Sequence, residues 1–294
     1  MTITLLVQVM HAEYGRRWAI RDGAGDRLLP AGFRLATALA GDLAGFRQAI
    51  EAGAGLPVTF PSPFVAPVDP WTEVWAAGVT YARSRTARMD ESRNPDIYDR
   101  VYDAERPELF FKSLGWRAAG SGEPIAVRSD STWDVPEPEL AVVVAASGEV
   151  AGYTACNDVS SRSIEGDNPL YLPQAKCYLG ATALGPGIRP AWEVPDPYDL
   201  SFGVRIARDG ATQWQGGAAT GQLHRRLDEL VGYLFREDTH PHGVVLSTGT
   251  CLVPDETVTL RPGDVVHIDL SGIGRLTNPV VSTEDSGLRA RRPS

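Results

Sequence analysis

The sequence predicts a β-rich chain in two pieces, a small leading one and a larger body. Three observations carry this. Glycine and proline number 30 and 22 in 294 residues, so turns are frequent. Most apolar runs are short and bounded by turn residues, as strands are. Only two stretches show the three-and-four spacing of a buried helix face.

Taken in order, Ile3 to Met10 reads as a buried strand. Leu35, Leu39, Leu43, Phe46 and Ile50 share one helix face, and Gly53 is its stop. The segment from Pro61 to Pro70 is proline-punctuated and extended, a linker. Residues 1–70 then form a small N-terminal domain and 71–294 the body. In the body, strands are expected at Val74–Val79, Glu108–Lys112, Leu140–Ala146, Ala151–Cys156, Thr257–Leu260 and Val265–Leu270. Leu223, Leu227, Leu230, Val231 and Leu234 predict a helix from Leu223 to Phe235. Arg261-Pro262-Gly263-Asp264 and Ser271-Gly272 read as turns, and the basic tail Arg289–Ser294 as a frayed end.

Composition narrows the function. Lys plus Arg is 28 and Asp plus Glu is 37, a net charge of −9. That sign opposes binding to nucleic acid or to an anionic membrane surface. No apolar run approaches the ~18 residues of a membrane helix, and the N-terminus lacks a basic leader. Cys156, Cys177 and Cys251 are sparse and far apart, which reads as reduced thiols in a cytoplasmic protein. The seven tryptophans are scattered, as packing residues are.

The stretch Trp133-Asp134-Val135-Pro136-Glu137-Pro138-Glu139-Leu140 carries the chemistry. Glu137 and Glu139 are two apart at a strand entry, so both project from one face, with Cα atoms about 7 Å apart. Two like charges there repel, and a shared cation removes that penalty. Next come Ser147-Gly148-Glu149 and an apolar run ending at Asp158. A two-residue Ser147-Gly148 turn pairs Glu137 with Asp158; a Gly148-Glu149 turn pairs Glu139 with Asp158. Both put Asp158 on the carboxylate face, whereas a three-residue loop flips the parity. Three carboxylates without sulfur or imidazole suit a hard divalent cation, magnesium first, then manganese or calcium.

These residues also carry a resemblance. PELFFK (107–112), EPEL (137–140), GYTACNDVSSR (152–162), AKCYLGATALGP (175–186), STGT (247–250) and RPGDVVHIDLSGIGRLTNPV (261–280) together resemble the fumarylacetoacetate hydrolase superfamily. The resemblance implies an α+β fold built on a large, rolled, mixed β-sheet. It implies a divalent metal on Glu137, Glu139 and Asp158, a lysine at Lys176, and a substrate carboxylate at Thr250. It further implies substrate contacts from Tyr81, Arg85 and Gln174, and a homo-oligomer. VYDAERPELFFK, IAVRSDSTWDVPEPELAVVV and GDNPLYLPQAK look like the 2-keto-3-deoxy-D-arabinonate dehydratase branch. There Glu108 matches the general acid/base glutamate, and the setting is pentose catabolism or a biosynthetic pathway with an altered substrate. The superfamily's hydrolases carry Tyr-x-x-His-x-x-Glu to activate water. Here Ser84 and Ala87 stand in place of the His and Glu, and neither can act as that base.

The expected activity is therefore magnesium-dependent dehydration of a 2-keto-3-deoxy sugar acid to 2,5-dioxopentanoate. The alternatives are an acylpyruvate-type C–C hydrolase, a decarboxylase, or a non-catalytic binder of small keto acids. Lys176 reads as a loop residue, Lys112 as a strand-end charge, and His240-Pro241-His242 as a surface loop. Gly272-Ile273-Gly274 lacks the third glycine and the following helix of a dinucleotide site, and no phosphate loop or nucleophile elbow is present.

Overall fold

The computed structural model describes residues 4–11, 15–52, 55, 57–58, 64–91 and 95–292. Ile3, the expected stop at Gly53, the first residues of the Pro61–Pro70 linker and the last two of the tail lie outside them.

Eleven strands form one large mixed sheet. From one edge the order is Pro57–Val58, Gly25–Leu28, Gly15–Asp22, Leu5–His11, Thr182–Pro190, Val150–Asp158, Pro138–Val144, Val244–Thr250, Glu73–Gly78 and Glu108–Leu114. Phe64–Val65 pairs with Leu5–His11 off this path. Val244–Thr250 runs parallel to Glu73–Gly78; the other neighbours are antiparallel. Leu6 lies opposite Ile188, so the N-terminal strands continue the sheet of the body. A second, five-stranded sheet joins Ala211–Ala219, Ser201–Arg208, Val265–Leu270, Gly274–Ser282 and Ile125–Val127.

The central strand Pro138–Val144 is buried on both faces, which explains its unbroken apolar run. Leu140, Val142 and Val144 pack with Val204, Ile206, Val266, Ile268 and Leu276 of the second sheet. Ala141 and Val143 point the other way, into a cluster with Leu35, Leu39, Phe46, Ile50 and Trp18. Period-two alternation thus builds two cores from one strand. Glu139 shares the face of Ala141 and Val143, at the strand end.

Several expectations need correcting. The helix face from Leu35 to Ile50 belongs to two helices, Leu35–Ala38 and Leu43–Ala52. The break has a cause: the carbonyls of Leu39 and Gly41 accept from Ala146 and Ser147 of the central hairpin turn. Asp42 then restarts the helix, its Oδ1 accepting from Gly45 N at 2.8 Å. The later helix spans Leu227–Leu234 only, because Leu223 bridges Tyr81 and His224 N donates to Thr80 O. Thr257–Leu260 forms no strand; it runs beside Asp134, with Leu260 N bonded to Asp134 O.

The central hairpin is the instructive case. Its turn has neither two-residue form. Ala145 N donates to Glu149 O, enclosing a three-residue loop with Gly148 at φ 84° in its last position. That loop flips the parity. A bulge then flips it back: Val144 pairs with Val150 but Val143 with Gly152, leaving Ala151 unpaired. Pro138 therefore lies opposite Asn157, and Asp158 N donates to Glu137 O at 2.9 Å. The Glu137–Asp158 pairing holds, through two compensating shifts.

Residues 79–107 leave the sheet between Glu73–Gly78 and Glu108–Leu114 as two helices, Ala82–Glu91 and Pro95–Tyr102. Both feet of this segment rest on the Leu223–Arg225 turn. Buried Arg225 donates to the carbonyls of Val101, Tyr102 and Ala104.

Candidate active site

Glu137, Glu139 and Asp158 converge in a buried cavity, with one oxygen from each within 4.8 Å of the others. Strand register brings them together, as argued above. The cavity is also lined by Glu108, Lys176, Phe110, Gly249 and Thr250, and on its helical side by Ser84, Arg88 and Glu165.

Each carboxylate is held by donors from the protein. Glu137 Oε1 accepts from Ser160 Oγ at 2.7 Å and Arg88 Nη2 at 2.9 Å, and pairs with Arg162 Nη2 at 3.1 Å. Glu139 Oε2 accepts from Ser247 Oγ at 2.6 Å and Gly249 N at 2.8 Å. Only glycine serves at 249: its φ is 94°, and a Cβ there would sit 1.9 Å from Thr80 Oγ1. Asp158 Oδ1 pairs with Lys112 Nζ at 2.6 Å. Lys176 Nζ donates to Glu137 Oε2 at 2.9 Å, to Asp158 Oδ2 at 3.1 Å and to Ser160 Oγ.

The electrostatics sort these groups. Burial pushes the Glu137 carboxyl up, but Lys176, Arg88 and Arg162 outweigh it and hold it well below the ordinary range. Glu139 forms no ion pair among the described residues. Burial, with Asp158 and Glu137 beside it, pushes its carboxyl up to about 8. Burial alone would lower the Lys176 ammonium; Asp158 and Glu137 reverse that and hold its proton firmly. Glu108 is pushed up to about 7 by burial and by the neighbouring Glu165. It makes no hydrogen bond among the described residues and lines the cavity, so it is suited to give up a proton near neutral pH.

This donor set fits a hard divalent cation. Three buried oxygens converge, no imidazole or thiolate lines the cavity among the described residues, and the unbalanced charge at Glu139 is what a cation would relieve.

Of the nine residues expected here, six meet: Glu108, Glu137, Glu139, Asp158, Lys176 and Thr250. Tyr81 is buried nearby but is not among the lining residues. Arg85 lies outside, paired with Asp99, and Gln174 is exposed. Lys176 ends the short helix Leu172–Lys176, not a loop, and is buried. Lys112 is no strand-end charge: it is buried and also donates to the carbonyls of Val159 and Lys176. His240 is likewise buried, against Glu73, Trp75 and Phe235; His242 is exposed. The sequence reading missed Ser160, which lies two residues beyond Asp158 and follows from the same alternation. It also missed Arg88 and Glu165. These come from two separate helices, Ala82–Glu91 and Arg162–Asp167, and no local pattern marks them.

The comparisons agree with this geometry. Residues 73–281 match the family model for the C-terminal region of fumarylacetoacetate (FAA) hydrolase. The chain is 50% identical over 216 residues to a probable 2-keto-3-deoxyxylonate dehydratase of Haloferax volcanii, covering 74% of each chain. It is 44% identical over 218 residues to the 2-dehydro-3-deoxy-D-arabinonate dehydratase of Saccharolobus solfataricus, covering 73% of each. A solved 2-keto-3-deoxy-D-arabinonate dehydratase complexed with magnesium and 2,5-dioxopentanoate superposes with a TM-score of 0.80 at 34% identity, over 96% of this chain and 99% of that one. The chain belongs to the fumarylacetoacetate hydrolase family.

Proposed function

We propose that this protein is a magnesium-dependent dehydratase of a 2-keto-3-deoxy sugar acid, converting 2-keto-3-deoxy-D-arabinonate to 2,5-dioxopentanoate. One observation carries the reading. A single buried cavity gathers three converging carboxylates, a lysine and, in Glu108, a carboxyl with no hydrogen bond among the described residues, while Ser84 lines it where hydrolases of the family place a histidine. The Ser84 hydroxyl is spent on Tyr81 O, at 2.8 Å, and is no base for water. The dehydratase names of the relatives and the solved neighbour support the same reading.

Glu137, Glu139 and Asp158 would hold the metal. Bound there, a divalent cation supplies Lewis acidity toward the keto acid's oxygens. Lys176 takes a proton from C3, next to the keto group. The carboxylates that keep Lys176 protonated are the ones a cation neutralises, so its proton is held least when the site is loaded. Glu108 donates its proton to the C4 hydroxyl, which leaves as water. The product is an enone with a hydroxyl on C5. Transfer of a C5 proton to C3 gives an enol, and its tautomer is the aldehyde; one water is lost in all. Thr250, the last residue of the strand Val244–Thr250, lines the cavity and would face the substrate carboxylate.

Product analysis tests this. With magnesium and 2-keto-3-deoxy-D-arabinonate, mass spectrometry should show an aldehyde eighteen mass units lighter (about 18, one water) and no pyruvate. Rapid cleavage of an acylpyruvate with the sugar acid untouched would replace this reading with hydrolysis.

A further inference from the structure

The carboxylates divide their oxygens between two tasks. Glu137 Oε1 carries Ser160, Arg88 and Arg162; Glu139 Oε2 carries Ser247 and Gly249 N; Asp158 Oδ1 carries Lys112. The Glu137 and Glu139 oxygens accept hydrogen bonds from groups that are themselves buried, and Asp158 Oδ1 has the buried Lys112 ammonium beside it as an ion pair. The other three differ. Among the described residues, Glu137 Oε2 and Asp158 Oδ2 accept from Lys176, and Glu139 Oε1 accepts no hydrogen bond. Each carboxylate thus offers one oxygen inward and has the other tied down.

We infer that this outer layer of donors, Ser160 and Ser247 above all, enforces one-oxygen coordination and so selects magnesium over calcium. The inference rests on the metal reading given above. Calcium takes six to eight oxygens and favours carboxylates that grip with both. Magnesium takes six at shorter range and keeps several positions for water or substrate. A two-oxygen grip by Glu139 would strip the hydrogen bonds of Ser247 and of a buried backbone N–H, and such unmade bonds are costly. A two-oxygen grip by Glu137 would break contacts to two arginines and a serine. Three inward oxygens, one per residue, leave three of magnesium's six positions open. Substrate enters no part of this argument, so it can be tested by metal binding alone.

Calorimetric titration of the metal-free protein with Mg²⁺ and with Ca²⁺ gives the ratio of the two dissociation constants. Wild type should bind Mg²⁺ at least as tightly as Ca²⁺. Ser247→Ala, Ser160→Ala and their double variant should move the ratio toward Ca²⁺, by about tenfold in the double variant, the scale of one or two lost hydrogen bonds. Infrared spectra of the loaded wild type give a readout independent of any variant's folding. The separation of the carboxylate stretches should be that of one-oxygen ligands with both ions. Tenfold tighter Ca²⁺ binding by wild type, an unchanged ratio in a folded double variant, or two-oxygen spectra would each overturn the proposal while leaving the metal reading standing. Failure of wild type to bind either ion would overturn both.

Discussion

The floor and the roof of the cavity are built differently. The floor is sheet: Glu137, Glu139, Asp158 and Thr250 sit on or beside three adjacent strands. Their positions follow from a two-residue repeat and a register. The roof is the pair of helices Ala82–Glu91 and Pro95–Tyr102, the first of which brings Ser84 and Arg88 toward the floor. It is tied down by contacts far away in sequence, such as Arg225 on the carbonyls of Val101, 124 positions away, and Tyr102, 123 positions away. The comparison teaches where function is fixed. The floor holds buried charge on paired strands; the roof brings Ser84 and Arg88 to the cavity from a helix.

The largest structural effect should come from the floor. Lys112→Met leaves an oxygen of buried Asp158 without its cation, and breaking a buried pair from one side costs about 3–5 kcal/mol. A urea melt in chelator should show that loss; a change under about 1 kcal/mol would make Lys112 dispensable.

Next in size is the metal effect. Magnesium at a hundredfold excess over its dissociation constant should stabilise wild type by about 2.7 kcal/mol. Glu137→Gln and Asp158→Asn should remove most of that gain in a thermal melt. If both variants respond like wild type, the cation lies elsewhere.

A pH scan follows. Glu139 holds its proton to about pH 8 in the fold, against an ordinary carboxyl near 4.5. Between those values the folded protein binds more protons than the unfolded chain, so stability falls as pH rises. Without metal, the melting temperature should decline from pH 5 to 8. With magnesium in place of the proton the decline should flatten, and magnesium affinity should rise over the same range. A metal-free protein that grows more stable toward pH 8 would contradict the charge picture of the floor.

The smallest effect should come from residues outside the cavity, Arg85 on the roof and Gln174 on the helix Leu172–Lys176. Arg85→Ala and Gln174→Ala touch residues outside the cavity, so turnover and melting temperature should stay near wild type. A hundredfold loss in either would mean that the residue reaches substrate in the working enzyme.

Legibility in the sequence follows the same division. The carboxylate pairing could be read because alternation constrains whole strands; it survived a misjudged turn because the Val143 bulge restored the parity that the Gly148 loop had flipped. Neither shift is visible locally. Lys112 was misread because its cross-sheet partner Asp158 is 46 positions away, and a lone lysine at a strand end has the same pattern whether buried or free. The broken helix near Gly41 was missed for a related reason: its carbonyls are claimed by Ala146 and Ser147, a purely tertiary event. Arg88 and Glu165 form an ion pair between two helices, which no periodicity announces.

The division of labour between Lys176 and Glu108 is the central claim, and deuterium exchange at C3 of the sugar acid tests it most directly. In D₂O with magnesium, Glu108→Gln should still exchange the C3 hydrogens, because Lys176 remains, yet lose about 10²–10⁴-fold in water elimination. Lys176→Met should lose both by a similar factor. Exchange that persists in Lys176→Met, or that vanishes in Glu108→Gln, would contradict the assignment of base and acid.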